Sequence, residues 1–211
     1  MPITDRKRRE RERRREDILD SARRLISAAG YDNVTMQDIA DAVELSKGSL
    51  YLTFKDKDDI VAALVGRSLD ELDRIIAEEL GAAGTAIEKL ERLARAYWRF
   101  HVEKPEHFPS LTLVSRIASK AGSRGPAGEI AGRLMKLESI LTRTFEEGIE
   151  EGSIRRGIDV PRLVGLVTVL VNSFLEKLAE LPRAPGPLLG FGSDELIKQF
   201  FDILIFYVKE A

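Results

Sequence analysis

The sequence predicts an all-α protein, with an N-terminal three-helix domain containing a helix-turn-helix and a larger helical domain behind it. Three observations predict this. Apolar residues recur at helical spacing along the chain with no convincing period-two segment. Capping residues stand at the expected helix starts. Three short helices fall within some forty residues, ahead of longer ones. The 211 residues suit one large domain or two small ones, at ~100–200 residues per domain.

The first helix is expected from about Arg11 to Ala29, with Ile18, Leu19, Ala22, Leu25 and Ile26 on one face and Gly30 as its stop. Thr35 caps the second, with Asp38 completing a capping box. Ser46 caps a brief third helix through Tyr51. Asp56 caps a fourth that reaches about Leu80. Further helices are expected over 85–103, 110–121, 127–151, 161–181 and 196–208, and Pro182 to Gly192 reads as a loop. The β-branched run Leu163 to Val171 is compatible with a buried strand by composition. Its continuation through Phe174, Leu175 and Leu178 at helical spacing, and Pro161 in the first turn, favour helix.

Composition excludes several kinds of chemistry. With no cysteine there is no disulfide, thiol nucleophile or iron–sulfur cluster. There are 2 histidines, and neither His101 nor His107 follows a glutamate by three residues, as a helical di-iron site requires. A serine hydrolase needs a strand-to-helix elbow, and no strand is expected. No catalytic residue, metal or cofactor is therefore assigned, and the chain is not expected to be an enzyme. No apolar run reaches the ~20 residues that span a bilayer, and the N-terminus is charged, so a cytoplasmic protein without a membrane partner is expected.

The net charge of −2 hides an asymmetry. Residues 1–57 carry 13 Lys/Arg against 11 Asp/Glu, while the remainder is acidic. Within Arg6 to Glu16 eight basic residues face three glutamates. Such a basic arm, taken as residues 1–16, points to an anionic partner met at one end of the chain. A solvated helix face laced with Glu–Arg pairs is the competing reading.

Thr35 to Tyr51 has the layout of a helix-turn-helix. Ala40 permits close packing of its helices, Val43 and Leu45 fill the seam, and Leu50 points inward. Ser46, Lys47, Gly48, Ser49 and Tyr51 then form a short polar face of a size to enter a major groove. Thr35, Tyr51, Thr53 and Lys57 are placed to grip phosphates, Lys57 at the positive end of the next helix.

The segments Thr35-Met36-Gln37-Asp38-Ile39-Ala40, Leu45-Ser46-Lys47-Gly48-Ser49-Leu50-Tyr51 and Phe54-Lys55-Asp56-Lys57-Asp58-Asp59-Ile60 resemble the N-terminal domain of the tetracycline-repressor (TetR) family. The resemblance covers roughly residues 11–70. It implies a dimeric transcriptional repressor released from double-stranded DNA by a small molecule. The helix-turn-helix domain would then occupy residues 11–57 and a ligand-binding and dimerisation domain residues 58–211. The family's turn usually carries Ala-Gly where this chain has Val43-Glu44. Glycine tolerates a positive φ there, which costs another residue ~1–2 kcal/mol.

In the second domain, the helices over 161–181 and 196–208 are apolar on more than one face, as a homodimer interface requires. Pocket candidates are polar or aromatic groups in apolar surroundings: Tyr97, Trp98, His101 and Phe108, with Thr168 and Asn172 in the middle of helix 161–181. Each is also an ordinary core position by spacing. A DNA-binding structural or cell-division factor built on the same domain is the alternative function.

Overall fold

The computed structural model describes residues 3–81, 83–119, 125–180 and 192–209. They form ten helices: α1 (Ile3–Ala29), α2 (Met36–Ala42), α3 (Lys47–Tyr51), α4 (Lys57–Leu80), α5 (Ala86–Glu103), α6 (Phe108–Leu111), α7 (Val114–Ala118), α8 (Pro126–Glu151), α9 (Val160–Glu180) and α10 (Ser193–Val208). There is no strand among the described residues, and the stretch 163–171 is helical, as its spacing indicated. The expected loop Pro182 to Gly192 lies, but for its last residue, outside the described residues.

Local chemistry starts the helices. The Thr35 hydroxyl accepts from Asp38 N, and the Asp38 carboxylate accepts in return from Thr35 N at 2.8 Å. Those bonds hold the Asp38 carboxyl below its ordinary value, so it remains charged. Ser46 caps α3 and Asp56 caps α4, each accepting from the backbone N–H three residues on. Thr85 and Glu88 close a second capping box at the start of α5.

Two expectations change. The basic stretch is not an arm ahead of the first helix; it is the N-terminal half of α1, which starts at Ile3. Alternating charges at i, i+4 favour helix there, and Arg8 pairs with Glu12. The single helix expected over 110–121 is two short ones, because the chain turns at Thr112 and Leu113 between α6 and α7.

Ile18, Leu19, Ala22, Ile39, Ala40, Leu50, Phe54 and Ile60 are buried together, so α1, α2, α3 and the start of α4 share one core. Replacing a residue such as Leu50 by Ala would cost ~2–5 kcal/mol. That core continues along α4 into the larger helical part, where both α4 and α10 pack on α5. A second cluster joins α5, α8, α9 and the end of α10 around Phe145, Ile154 and Val160. Gly148 permits that junction, since a Cβ there would lie 2.5 Å from Ile154 Cδ1. The long α4 therefore belongs to both parts of the molecule.

Candidate nucleic-acid interface and ligand cavity

The turn between α2 and α3 is held by Leu45 N donating to the Ala40 carbonyl at 2.9 Å. Glu44 takes a left-handed φ of 54°, alone among the described non-glycine residues. The turn thus keeps the geometry that glycine favours and carries its cost with a charged residue.

α3 presents Lys47, Gly48 and Tyr51 to solvent, with Ser49 half-buried beside them. The Ser46 and Ser49 hydroxyls are 2.9 Å apart and bond each other. Lys47 and Tyr51 make no hydrogen bond or ion pair among the described residues. A Cβ on Gly48 would meet only Ser46 Oγ, at 4.0 Å, and its backbone is not in the left-handed region. Nothing among the described residues therefore requires glycine at that position. Thr35 is exposed at the start of α2, with its hydroxyl engaged in the capping box; Thr53 is half-buried just past α3. Leu52, 90% exposed beside Tyr51, was not singled out from sequence. The signal was there: it stands two residues, some 200° of helix, beyond the buried Leu50.

Lys57 departs from its expected role. Its ammonium donates to the Tyr31 and Val34 carbonyl oxygens, each at 2.7 Å, and sits 4.0 Å from the Tyr31 ring centre. With two of its three donors so committed, Lys57 ties the α1–α2 connection to the start of α4 instead of reaching outward.

Between α4, α5, α8, α9 and α10 lies a cavity of about 170 Å³. Its wall is apolar, with Leu72, Leu93, Leu137, Leu163, Val171 and Phe201 among the lining residues. Of the six pocket candidates, Tyr97, Thr168 and Asn172 line it; Trp98, His101 and Phe108 do not. Tyr97 and Trp98 are neighbours on α5, so when one points inward the other is turned about 100° away, and Trp98 is 39% exposed. His101 and Phe108 instead stack edge to face, ring centres 4.6 Å apart. None of the polar groups of Tyr97, Thr168 and Asn172 is hydrogen-bonded among the described residues. Burial, with the Asp73 charge nearby, pushes the Tyr97 hydroxyl up to about 12, so it remains a donor.

Charged residues not foreseen from sequence complete the wall: Asp73, Arg133 and Glu138. Arg133 on α8 donates to Asp70 at 2.9 Å and Asp73 at 2.5 Å, both on α4. Val171 and Phe201, on the two helices expected to form a homodimer interface, line this cavity. The exposed apolar positions of α9 and α10 are Leu166, Val169, Leu170, Ile203, Phe206 and Tyr207.

A family profile described as "Bacterial regulatory proteins, tetR family" matches residues 18–64. A fatty acid metabolism regulator protein of Bacillus subtilis is 30% identical over 147 residues, covering 68% of this chain and 72% of that protein. The chain belongs to the TetR family.

Solved structures carry the likeness over the whole fold. The ketosteroid transcriptional regulator KstR2 of Mycobacterium tuberculosis superposes with a TM-score of 0.70 at 21% identity, over 94% of this chain and 96% of that one. AibR, solved in complex with isovaleryl coenzyme A and operator DNA, gives a TM-score of 0.68 at 19% identity, over 91% and 98%. In this TetR-family chain the profile match ends at residue 64, inside α4. The helices enclosing the cavity thus lie beyond the profile, apart from α4 itself. Among the described residues no helix is long and apolar enough to cross a membrane.

Proposed function

We propose that this TetR-family chain is a homodimeric transcriptional repressor that a small apolar molecule releases from a palindromic DNA operator. The observation that carries the reading is the course of α4. Its first residue is pinned to the α1–α2 connection through Lys57, while Leu69, Leu72, Asp73 and Ile76 further along line the cavity. A molecule entering the cavity therefore presses on the helix that supports the recognition unit.

The DNA-binding domain is assigned to residues 11–57 and the ligand-binding and dimerisation domain to residues 58–211. Lys47 and Ser49 would face base edges, with Gly48 admitting the groove wall; Ser46, Tyr51, Thr53 and Thr35 would meet phosphates. The basic half of α1 adds sequence-independent attraction to the phosphate backbone. Arg15, its guanidinium 4.4 Å from the Phe54 ring centre, sets that half beside the end of α3. The exposed face of α9 and α10 would pair with its copy, placing two recognition helices in successive major grooves ~34–36 Å apart. A swing of α4 would spoil that spacing. The ligand acts only if it binds the released state better, and a coupling of ~1–3 kcal/mol gives 5–150-fold weaker operator binding.

Tyr97, Thr168 and Asn172 supply the cavity's uncommitted polar groups. The relatives' names, a fatty acid metabolism regulator and a protein solved with isovaleryl coenzyme A, support an acyl-type ligand. The test is a fluorescence-anisotropy titration of operator DNA with and without candidate acyl compounds. A compound that calorimetry shows to bind the chain at one concentration should release DNA at the same concentration. Binding of such a compound with operator affinity unchanged would refute the coupling through α4.

A further inference from the structure

We infer that the molecule this cavity takes is an amphiphile whose anionic head, a phosphate or carboxylate, is held by Arg155, Arg156 and Arg162. The inference rests on the ligand-controlled reading above and refines its apolar ligand to one that carries an anionic end.

A second cleft, of about 400 Å³, opens where the α8–α9 connection meets the first turn of α9 and the end of α10. Arg155, Arg156, Asp159 and Arg162 line it, with Leu163, Leu166 and Tyr207; Leu166 and Tyr207 also belong to the exposed α9–α10 face, so the cleft borders the proposed subunit interface. Leu163 and Tyr207 also line the apolar cavity, so the two spaces share a wall. An oily space and a cationic one side by side match a molecule with an apolar chain and an anionic end.

Arg155 and Arg156 have no ion pair among the described residues, while Arg162 is paired with Asp159. The Arg155 backbone N–H donates to the Val208 carbonyl at 3.0 Å, and its guanidinium carbon lies 4.1 Å from the Tyr207 ring centre. Arg155 Nε is buried and has no hydrogen-bond partner among the described residues. A buried donor without an acceptor is costly, and an arriving anion would relieve that cost. Asp159 is the cleft's one carboxylate, and it is already engaged: it accepts from Arg162 N at 3.1 Å and pairs with Arg162 Nε at 3.1 Å. Three guanidinium groups against one carboxylate leave a net positive cleft, and the planar guanidinium fork fits phosphate and carboxylate oxygens.

The other end of the apolar cavity repels an anion. There Arg133 is answered by both Asp70 and Asp73, and Glu138 adds a further negative charge. Along α9 the cavity runs from Leu163 to Leu175, about 18 Å of helix. A head at the arginines therefore sends its chain toward Thr168, Asn172 and Tyr97.

The test is calorimetric titration of the full chain with octanol, octanoate and octyl phosphate, which share a chain and differ in head. The account expects one or both anions to bind about tenfold or more tightly than octanol, and the comparison of the two identifies the preferred head. In R155Q/R156Q/R162Q that preference should disappear while octanol binding stays. Because Arg155 also packs on Tyr207, R156Q/R162Q serves as the milder variant and should lose part of the preference. Octanol bound as tightly as the better-bound anion, or a preference that survives in the triple variant, would overturn the inference alone. If none of the three binds, the ligand cavity falls with it.

Discussion

Arg133 on α8 and Asp73 on α4 are joined by a 2.5 Å hydrogen bond across the cavity wall, with Asp70 accepting from the same guanidinium at 2.9 Å and the Gly66 carbonyl at 3.3 Å. Asp70 and Asp73 are mostly exposed, so the pairs add little stability. Their consequence is positional: α8 cannot shift against α4 without breaking them.

Arg133→Gln should therefore leave fold and basal operator affinity nearly unchanged while weakening ligand-induced release. The expected change is a drop in coupling of ~1 kcal/mol, about fivefold in the ligand's effect on operator affinity. Anisotropy titrations with saturating ligand would measure it. An undiminished ligand response would mean the signal does not pass through this contact.

Gly48→Ala separates packing from recognition. The added methyl meets open space within the chain, and alanine is the better helix former by up to ~1 kcal/mol. Thermal stability should hold or rise, while operator affinity should fall about tenfold or more through a clash in the groove. A variant that is stabilised and binds as before would remove the argument for close approach at this position.

The proposed subunit interface lies on the outward side of α9 and α10. Val169→Asp with Phe206→Asp should give folded monomers in sedimentation, since an obligate interface of ~2,000 Å² or more would lose its apolar centre. Phe201→Asp should instead impair folding or ligand binding, because Phe201 lines the cavity. A sedimenting dimer in the first variant would move the interface elsewhere.

Stability should also fall on acidification. Burial holds His107 and His101 below the ordinary histidine value of 6.5, and the fully buried Ser68 hydroxyl sits 3.2 Å from His107 Nδ1. Below about pH 6.5 the unfolded chain takes up these protons and the folded one resists, so stability declines until the lower folded values are passed. Denaturant midpoints should drop between about pH 7 and 5, and less so in His107→Asn. A flat wild-type profile over that range would contradict the half-buried, neutral imidazoles.

What the sequence disclosed is what local chemistry decides. Thr35, Ser46 and Asp56 cap helices where their spacing placed them, because a cap depends on residues three apart. The face of α3 was legible for the same reason. Lys57 was not, since the carbonyls it binds lie 23 and 26 residues away. The aromatic cluster on α5 was visible, but periodicity marks a stripe without saying which side encloses space, so Tyr97 was found along with Trp98, which lies outside. Arg133 escaped notice because its carboxylate partners stand 60 and 63 residues away in sequence.

The central claim, two recognition helices presented by a symmetric dimer, is tested most directly by selecting bound DNA from a random pool with the full chain. The account predicts a palindrome whose half-sites are centred about one helical turn, or a multiple of it, apart. Recovery of non-palindromic sequences, or of none above background, would contradict it.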